Sequence, residues 1–365
     1  MADQWFEEWG TEMFVAEERR AQNRLRKMNE IFEEASQAIE EDINVILGAV
    51  ISRNGLEITP AQLRRQLSKA EVKSWKKTVA QYMDEIAAAG GKDSVKGQAL
   101  WMELEQLSAL TRVSRLEALQ MSIDANMARI AALSEVEIRD HLSDVFKDDY
   151  YANMYAYYLM DVPEVNALME AHGVAVTNEY VKSIVDSVWV GLSPFSKRLW
   201  QNEYNEAFRM SEVMAKVLVS GRHPSAVARE ISKREGLNKK AIEKLILTET
   251  AHVKTEADLY SYRKAAFDEV EWCATLDRKT CPDCRPLDGK TFKMDELYAG
   301  VNKPPLHTRC RCCLLPVNSY LKDLESKFSF TRFARDEDGQ AIYVDGKMNY
   351  AEWYDKYGRR RTQPS

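Results

Sequence analysis

The chain has 365 residues, 45% of them apolar and 30% charged, with a formal net charge of −6 and a pI near 5.6. This excludes an intrinsically disordered chain and gives no overall basic excess of the kind that announces a nucleic-acid binder. The length allows two or three domains, each burying its own core. No run of about 18 uncharged apolar residues occurs, so no membrane span is expected. The acidic N-terminus, MADQWFEEWGTEMF, lacks the apolar core of a secretory signal, and synthesis in a cytoplasm is expected.

From Thr11 to about Ile51, the residues Leu25, Met28, Phe32, Ala35, Ile39, Ile43, Ile46 and Val50 recur at steps of three and four. That spacing predicts one long amphipathic helix, ended by Arg53–Gly55. Thr59 and Pro60 restart a helix as N-cap and first helical residue, with Gln62 completing a capping box. Ser68 with Glu71 repeats the signal, and a stripe of Val72, Trp75, Val79, Met83 and Ile86 stops at Gly90-Gly91. A third helix is predicted from about Val95 to Ala132, and Ser134 with Glu137 would cap a fourth. The cluster Tyr150, Tyr151, Tyr155, Tyr157 and Tyr158 reads as helix packing rather than base stacking, because no basic residues interleave.

Pro163 and Gly173 bracket a short helix, and another should end near Trp189. Ser193 and Pro194 start one that runs to about Val219. HPSAVAREISKREG predicts a short helix closed by Gly236, followed by a long one from Asn238 to about Phe267. The grammar then changes: VEWCATL is β-branched and aromatic, and LDGKTF carries an Asp-Gly turn. In the tail a hairpin is predicted around Asp345-Gly346, then a short amphipathic helix. Trp189 and Trp200 read as core residues.

All six cysteines fall between Cys273 and Val317, and so does His307. In a reducing compartment clustered thiols bind metal more often than they form disulfides. Cys281-x2-Cys284 has the spacing of a metal knuckle, and His307-x2-Cys310 supplies a second half. Together they make a closed Cys3His set, which suits structural zinc, with iron as the alternative metal. Cys312 is the reserve ligand and Cys273 reads as an inert strand thiol. Free thiols or disulfides are the non-metal alternative. A loop-rich module of this size has little core of its own and gains from such a staple.

No enzyme motif accompanies the cluster. His252 is followed by Val253-Lys254 rather than x-Glu, and Thr280 precedes Cys281, so the deaminase pattern is absent. H-E-x-x-H, Walker A, G-x-S-x-G and a strand-borne G-x-G-x-x-G are absent too. Residues 273–317 carry eight basic groups against five acidic ones, a net of +3. Arg278, Lys279, Arg285, Arg309 and Arg311 are the candidates for a phosphate contact, with a solvated basic face as the alternative.

The series TLDRKTCPDCRPLDGKTF followed by PPLHTRCRC resembles the signature of the phage head morphogenesis family, the Mu F-like minor head proteins of tailed bacteriophages. The segment WVGLSPFSKRLWQNEYNEAFRMSEVMAKVLVSGRHPSAVAREI, the Thr248-Glu249 pair and the helical front with SRLEALQMSID are similar to the form found in phages of Gram-positive hosts. The doubled Cys312-Cys313 departs from the pattern and leaves the fourth ligand between Cys310 and Cys312. The resemblance implies a minor capsid protein, not an enzyme, that takes no small-molecule substrate. Its partners would be the portal protein, other capsid proteins and viral DNA, and its location the capsid interior near the portal vertex. A metal-dependent nuclease-like enzyme and a zinc-ribbon adaptor that binds only protein are the competing classes.

The fold expected is mainly α, with a small C-terminal α+β zinc-clamped module. An elongated helical N-terminal region (1–185) would precede a head-morphogenesis domain (186–318) and a C-terminal appendage (319–365).

Overall fold

The structure is a computed structural model and describes residues 23–47, 60–68, 79–92, 94, 97–98, 100–101, 114–189, 193–219, 224–317 and 331–358. Among the described residues helix dominates, and the strands lie in the C-terminal part. The described residues fall into two compact units: those of 141–194 and 244–365 form one, those of 13–140 and 195–243 the other.

In the second unit, residues 23–47 form helix α1, and Met28, Phe32, Ala35, Ile39, Ile43 and Ile46 are its buried stripe, as the periodicity predicts. Short α2 (Pro60–Arg64) and α3 (Val79–Ala88) follow. Gly90 and Gly91 stop α3 with φ values of +93° and +88°, a region that favours glycine. Of the Ser68–Glu71 capping signal only Ser68 is described, and the start of the Trp75 stripe lies outside the described residues.

Helix α4 (Arg115–Leu159) corrects the expectation of a third helix ending at Ala132 and a fourth capped by Ser134. It begins at a capping box: Ser114 Oγ accepts the N–H of Glu117 at 3.3 Å, and Glu117 Oε2 accepts the N–H of Ser114 at 2.8 Å. Neither glycine nor proline interrupts 115–159, and Ser134 is fully buried in mid-helix, where an N-cap has no free turn to serve. The first part of α4 runs antiparallel to α1, since Arg24 meets Glu137, Glu34 meets Arg129 and Asp42 meets Ser122. Helix α7 (Phe195–Val219) joins this packing through Trp200, whose Nε1–H donates to Glu135 at 2.7 Å.

In the first unit α5 (Pro163–Glu170) follows α4, while the rest of α4 meets α6 (Asn178–Val185) through Phe146 and Tyr180 and the C-terminal half of α8 (Pro224–Lys264) through Tyr150 and Tyr260. Helix α8 is also a correction: it runs unbroken through Gly236, so the two predicted helices are one. A lone glycine costs only about 1 kcal/mol in a helix, too little to end one of this length. Here α4 and α8 run parallel, with His141 against Thr250, Asp149 against Lys254 and Asn153 against Asp258. Tyr150 and Tyr157 are buried against Tyr260, Tyr262 and Phe267, which makes them packing rings. Tyr151, Tyr155 and Tyr158 stay exposed.

After α8 comes an antiparallel sheet in the order β2-β1-β3, from β1 (Glu269–Cys273), β2 (Thr291–Lys293) and β3 (Cys313–Val317). Val270, Trp272 and Leu314 are buried. Asp288-Gly289 makes the expected turn, with Gly289 at φ +75°. The tail hairpin pairs β4 (Thr331–Arg335) with β5 (Ala341–Asp345), and its turn is built on Asp336 and Gly339. Asp345-Gly346 instead leads into α9 (Tyr350–Trp353), because Asp345 spends its carbonyl and carboxylate on the N–H groups of Met348 and Lys347. Leu276, Ala334, Val344, Tyr350 and Trp353 form one buried cluster, joining the hairpin and α9 to the segment after β1.

Candidate metal centre

The knuckle Cys281–Cys284 follows a tight turn organised by Asp277. Its Oδ1 accepts the N–H groups of Lys279 and Thr280 at 2.9 and 3.0 Å, and Arg311 binds the same carboxylate through both guanidinium nitrogens. Burial pushes the Asp277 carboxyl up, but the Arg311 pair and the turn N–H groups outweigh it and hold it below its ordinary range. Within the knuckle the Cys284 N–H donates to Cys281 Sγ at 3.3 Å.

The second half comes from the chain entering β3. Two overlapping groups of ligand atoms, each within 4.8 Å, meet at Cys284: Cys281, Cys284 and His307, and Cys284, Cys310 and Cys312. The four expected ligands and the reserve are thus divided between two groups that share Cys284: Cys281 and His307 fall in one, Cys310 and Cys312 in the other. Around zinc, with bonds near 2.3 Å to sulfur and about 2.0–2.1 Å to nitrogen, tetrahedral angles place two sulfurs ~3.8 Å apart and sulfur ~3.6 Å from nitrogen. Cys284 Sγ lies 3.9 Å from Cys310 Sγ and 3.5 Å from His307 Nε2. His307 Nδ1 lies 2.9 Å from the Thr308 carbonyl, which can only accept. Nδ1 therefore carries the proton, and Nε2 offers its lone pair.

The thiols share protons among themselves. Cys310 is held down to about 2, first by the hydrogen bond from Cys284 and then by that from Cys312. Cys284 is pushed far up, chiefly as the donor to Cys310. Cys312 goes up to about 12; its bond with Cys284 lowers it, but its bond to Cys310 and its burial outweigh that. One thiolate braced by neighbouring thiols is a donor set that a divalent cation would stabilise by displacing the remaining protons. Either group could hold a metal ion, and its thiol and imidazole donors are of the kind that suits zinc.

Helix α8 braces the second half. Thr248 Oγ1 accepts the N–H of Arg309 at 3.2 Å and donates to the Lys244 carbonyl at 2.7 Å. Arg309 lies between His307 and Cys310 with φ +60°, an uncommon conformation for a side-chain-bearing residue, and this bond helps to hold it. One residue on, Glu249 accepts the Trp189 Nε1–H at 2.9 Å, and Trp189 stacks on His252 with ring centroids 4.4 Å apart. Glu256, a further turn along, pairs with Lys303 in the loop before His307. Trp189 and Trp200 are thus half-buried rings, each donating its N–H to a glutamate.

The five candidate phosphate contacts separate in space and in role. Arg278 and Lys279 are exposed on the turn. Arg309 is exposed beside the cluster. Arg285 donates to the Thr280 carbonyl at 2.8 Å and lies over the Tyr350 ring, while Arg311 is committed to Asp277. Sequence reasoning missed Asp277 and Asp288, reading the second only as a turn residue. Their signal was present, since an Asp two or three residues before a turn N–H commonly caps it.

A family model described as Phage Mu protein F like protein matches residues 209–315. The minor head protein GP7 of Bacillus phage SPP1 is 30% identical over 154 residues, which are 38% of this chain and 48% of that protein. The chain therefore spans about half the length of this curated relative. No solved structure matches. The matched segment contains every thiol and the imidazole of the cluster, so the similarity to Mu F-like phage proteins falls on the part of the chain that carries it.

Proposed function

We propose that the chain is a minor head protein that acts beside the portal during head assembly, as a structural component rather than an enzyme. The observation that carries this reading is that the Mu F-like segment, residues 209–315, encloses the whole Cys/His cluster. Zinc bound by Cys281, Cys284, His307 and Cys310, with Cys312 in reserve, would fasten the knuckle to the approach to β3. The Thr248 and Glu256 contacts tie that approach to α8. The Cys/His module at 273–317 then presents fixed loops.

Docking surfaces of the right kind are available. Tyr298 and Val301 are exposed at 65% and 66% on a loop stiffened by Asn302, whose side chain bonds Tyr298 N–H and the Glu296 carbonyl. Tyr151, Tyr155 and Tyr158 form an exposed row on α4. Such faces suit other capsid proteins and the portal, and the protein would reside in the virion, inside the capsid near the portal vertex. A contact with packaged DNA would fall to Arg278, Lys279 and Arg309. No described helix is long and apolar enough to cross a membrane.

The test is co-expression with the phage's portal and major capsid proteins, followed by isolation of heads. The chain should co-sediment with heads that contain portal and be lost from heads that lack it. Incorporation independent of the portal would contradict the portal role, and absence from all heads would contradict the minor head reading. Incubation with duplex and single-stranded DNA plus zinc or magnesium tests the nuclease alternative, and turnover abolished by His307→Ala would establish it.

A further inference from the structure

Two of the six thiols take no part in the metal groups. Cys273 ends β1 and Cys313 begins β3, and the antiparallel register sets them directly opposite each other. Trp272 turns its N–H and carbonyl toward the β2 side, bonding Lys290 and Gly289 at 2.9 and 2.8 Å. Alternation along the strand therefore turns the backbone of Cys273 toward β3, which makes Cys273–Cys313 a hydrogen-bonded pair. Such pairs hold their Cα atoms ~5.5 Å apart, inside the range a disulfide spans. Both side chains project to the same face, and Cys313 Sγ lies 3.9 Å from the Cys273 carbonyl oxygen. Both residues are half-buried, whereas Cys284, Cys310 and Cys312 are buried. Cys312 and Cys313 are successive residues in extended chain, so their thiols point to opposite sides, one to the cluster and one to Cys273.

We propose that Cys273 and Cys313 are a second, metal-independent thiol site that closes to a cross-strand disulfide under oxidising conditions. With a small-molecule disulfide of the glutathione class as oxidant, the Cys273 thiolate attacks one sulfur and expels one glutathione thiolate. The Cys313 thiolate then attacks Cys273 Sγ in the mixed disulfide and releases the second. Two protein thiols lose two electrons and two protons, and one glutathione disulfide becomes two thiols. The bond links two strands already paired, so it forms without separating them.

The experiment is equilibration of the zinc-supplemented full chain in glutathione redox buffers, alkylation of free thiols, and peptide mapping with elemental analysis. A 273–313 link that accumulates with oxidant, in protein that keeps its zinc, is the expected result. Cys273→Ser and Cys313→Ser should each abolish the link and leave a single glutathione adduct on the remaining thiol. Both residues still alkylated when the most oxidising buffer has modified other thiols would overturn the proposal. So would links confined to Cys281, Cys284, Cys310 and Cys312. The map of the unsubstituted chain decides even where a variant fails to fold, and a 273–313 link in protein that binds no zinc would support this site while removing the metal reading.

Discussion

Thr248 and Arg309 are 61 residues apart in sequence, yet the Thr248 hydroxyl accepts the Arg309 N–H at 3.2 Å inside the turn that carries His307 and Cys310. Thr248 is buried, so its removal leaves a polar N–H without its partner. Thr248→Val should cost about 1 kcal/mol in stability, and zinc affinity should fall roughly 10–100-fold, the range for groups that orient ligands. Thr248→Ser should restore most of both. Competition for zinc against a chelator of known affinity checks this, and an unchanged affinity in Thr248→Val would remove the bracing role.

Asp288 ties the hairpin to the Cys/His module. Its side chain is 1% exposed and accepts from Arg332 at 2.7 Å, from the Ala274 N–H at 2.7 Å and from the Tyr350 N–H at 2.6 Å. Breaking such a pair from one side strands a buried charge, so Arg332→Ala should cost about 3–5 kcal/mol in urea denaturation. The double variant Asp288→Asn, Arg332→Ala should lose much less than the two single losses added together. Strict additivity would show that the two residues act independently.

Glu203 gives a pH dependence of unusual sign for a carboxylate. It is 1% exposed, and burial raises its carboxyl from 4.5 to about 7 despite the Asn238 and Asn202 amides that donate to it. The folded chain therefore holds this proton over a pH range in which the unfolded chain has lost it. Its contribution to stability declines as pH rises from about 4.5 to about 7, by up to ~3 kcal/mol. Glu203→Gln should be more stable than wild type at pH 8, with the gap closing by pH 4. Denaturation midpoints at the two values measure this, and an equal gap at both would contradict it.

If DNA contact is part of the function, it falls on the exposed cations. Arg278→Ala with Lys279→Ala should weaken duplex binding evenly across sequences and flatten its salt dependence by about two charges. Arg311→Ala should act mainly on stability, because it strips Asp277 of its partner. No binding at low salt would remove the DNA role altogether.

Much of this was legible in the sequence because its signals are local. The stripe from Met28 to Ile46, the Gly90-Gly91 stop and the Cys281-x2-Cys284 knuckle each act within a few residues, and the cluster followed from ligand chemistry. Helix ends read less well. Ser134 and Gly236 carry boundary chemistry, but burial and the absence of a second breaker kept α4 and α8 continuous through them. The hairpin turn was misplaced because Asp345-Gly346 and Asp336–Gly339 offer similar residues, and only the pairing of Phe333 with Tyr343 selects between them. The bracing of the cluster by Thr248 and Glu256 was invisible, since contacts across 47 to 61 residues leave no local pattern.

The central claim is that the cysteine cluster holds a structural metal. Elemental analysis of purified wild-type protein beside Cys281→Ser tests it most directly. The account predicts one zinc per chain in the wild type and a marked loss in the variant, with lowered thermal stability. Wild-type protein with no bound metal, folded and as stable with a chelator as without, would contradict it.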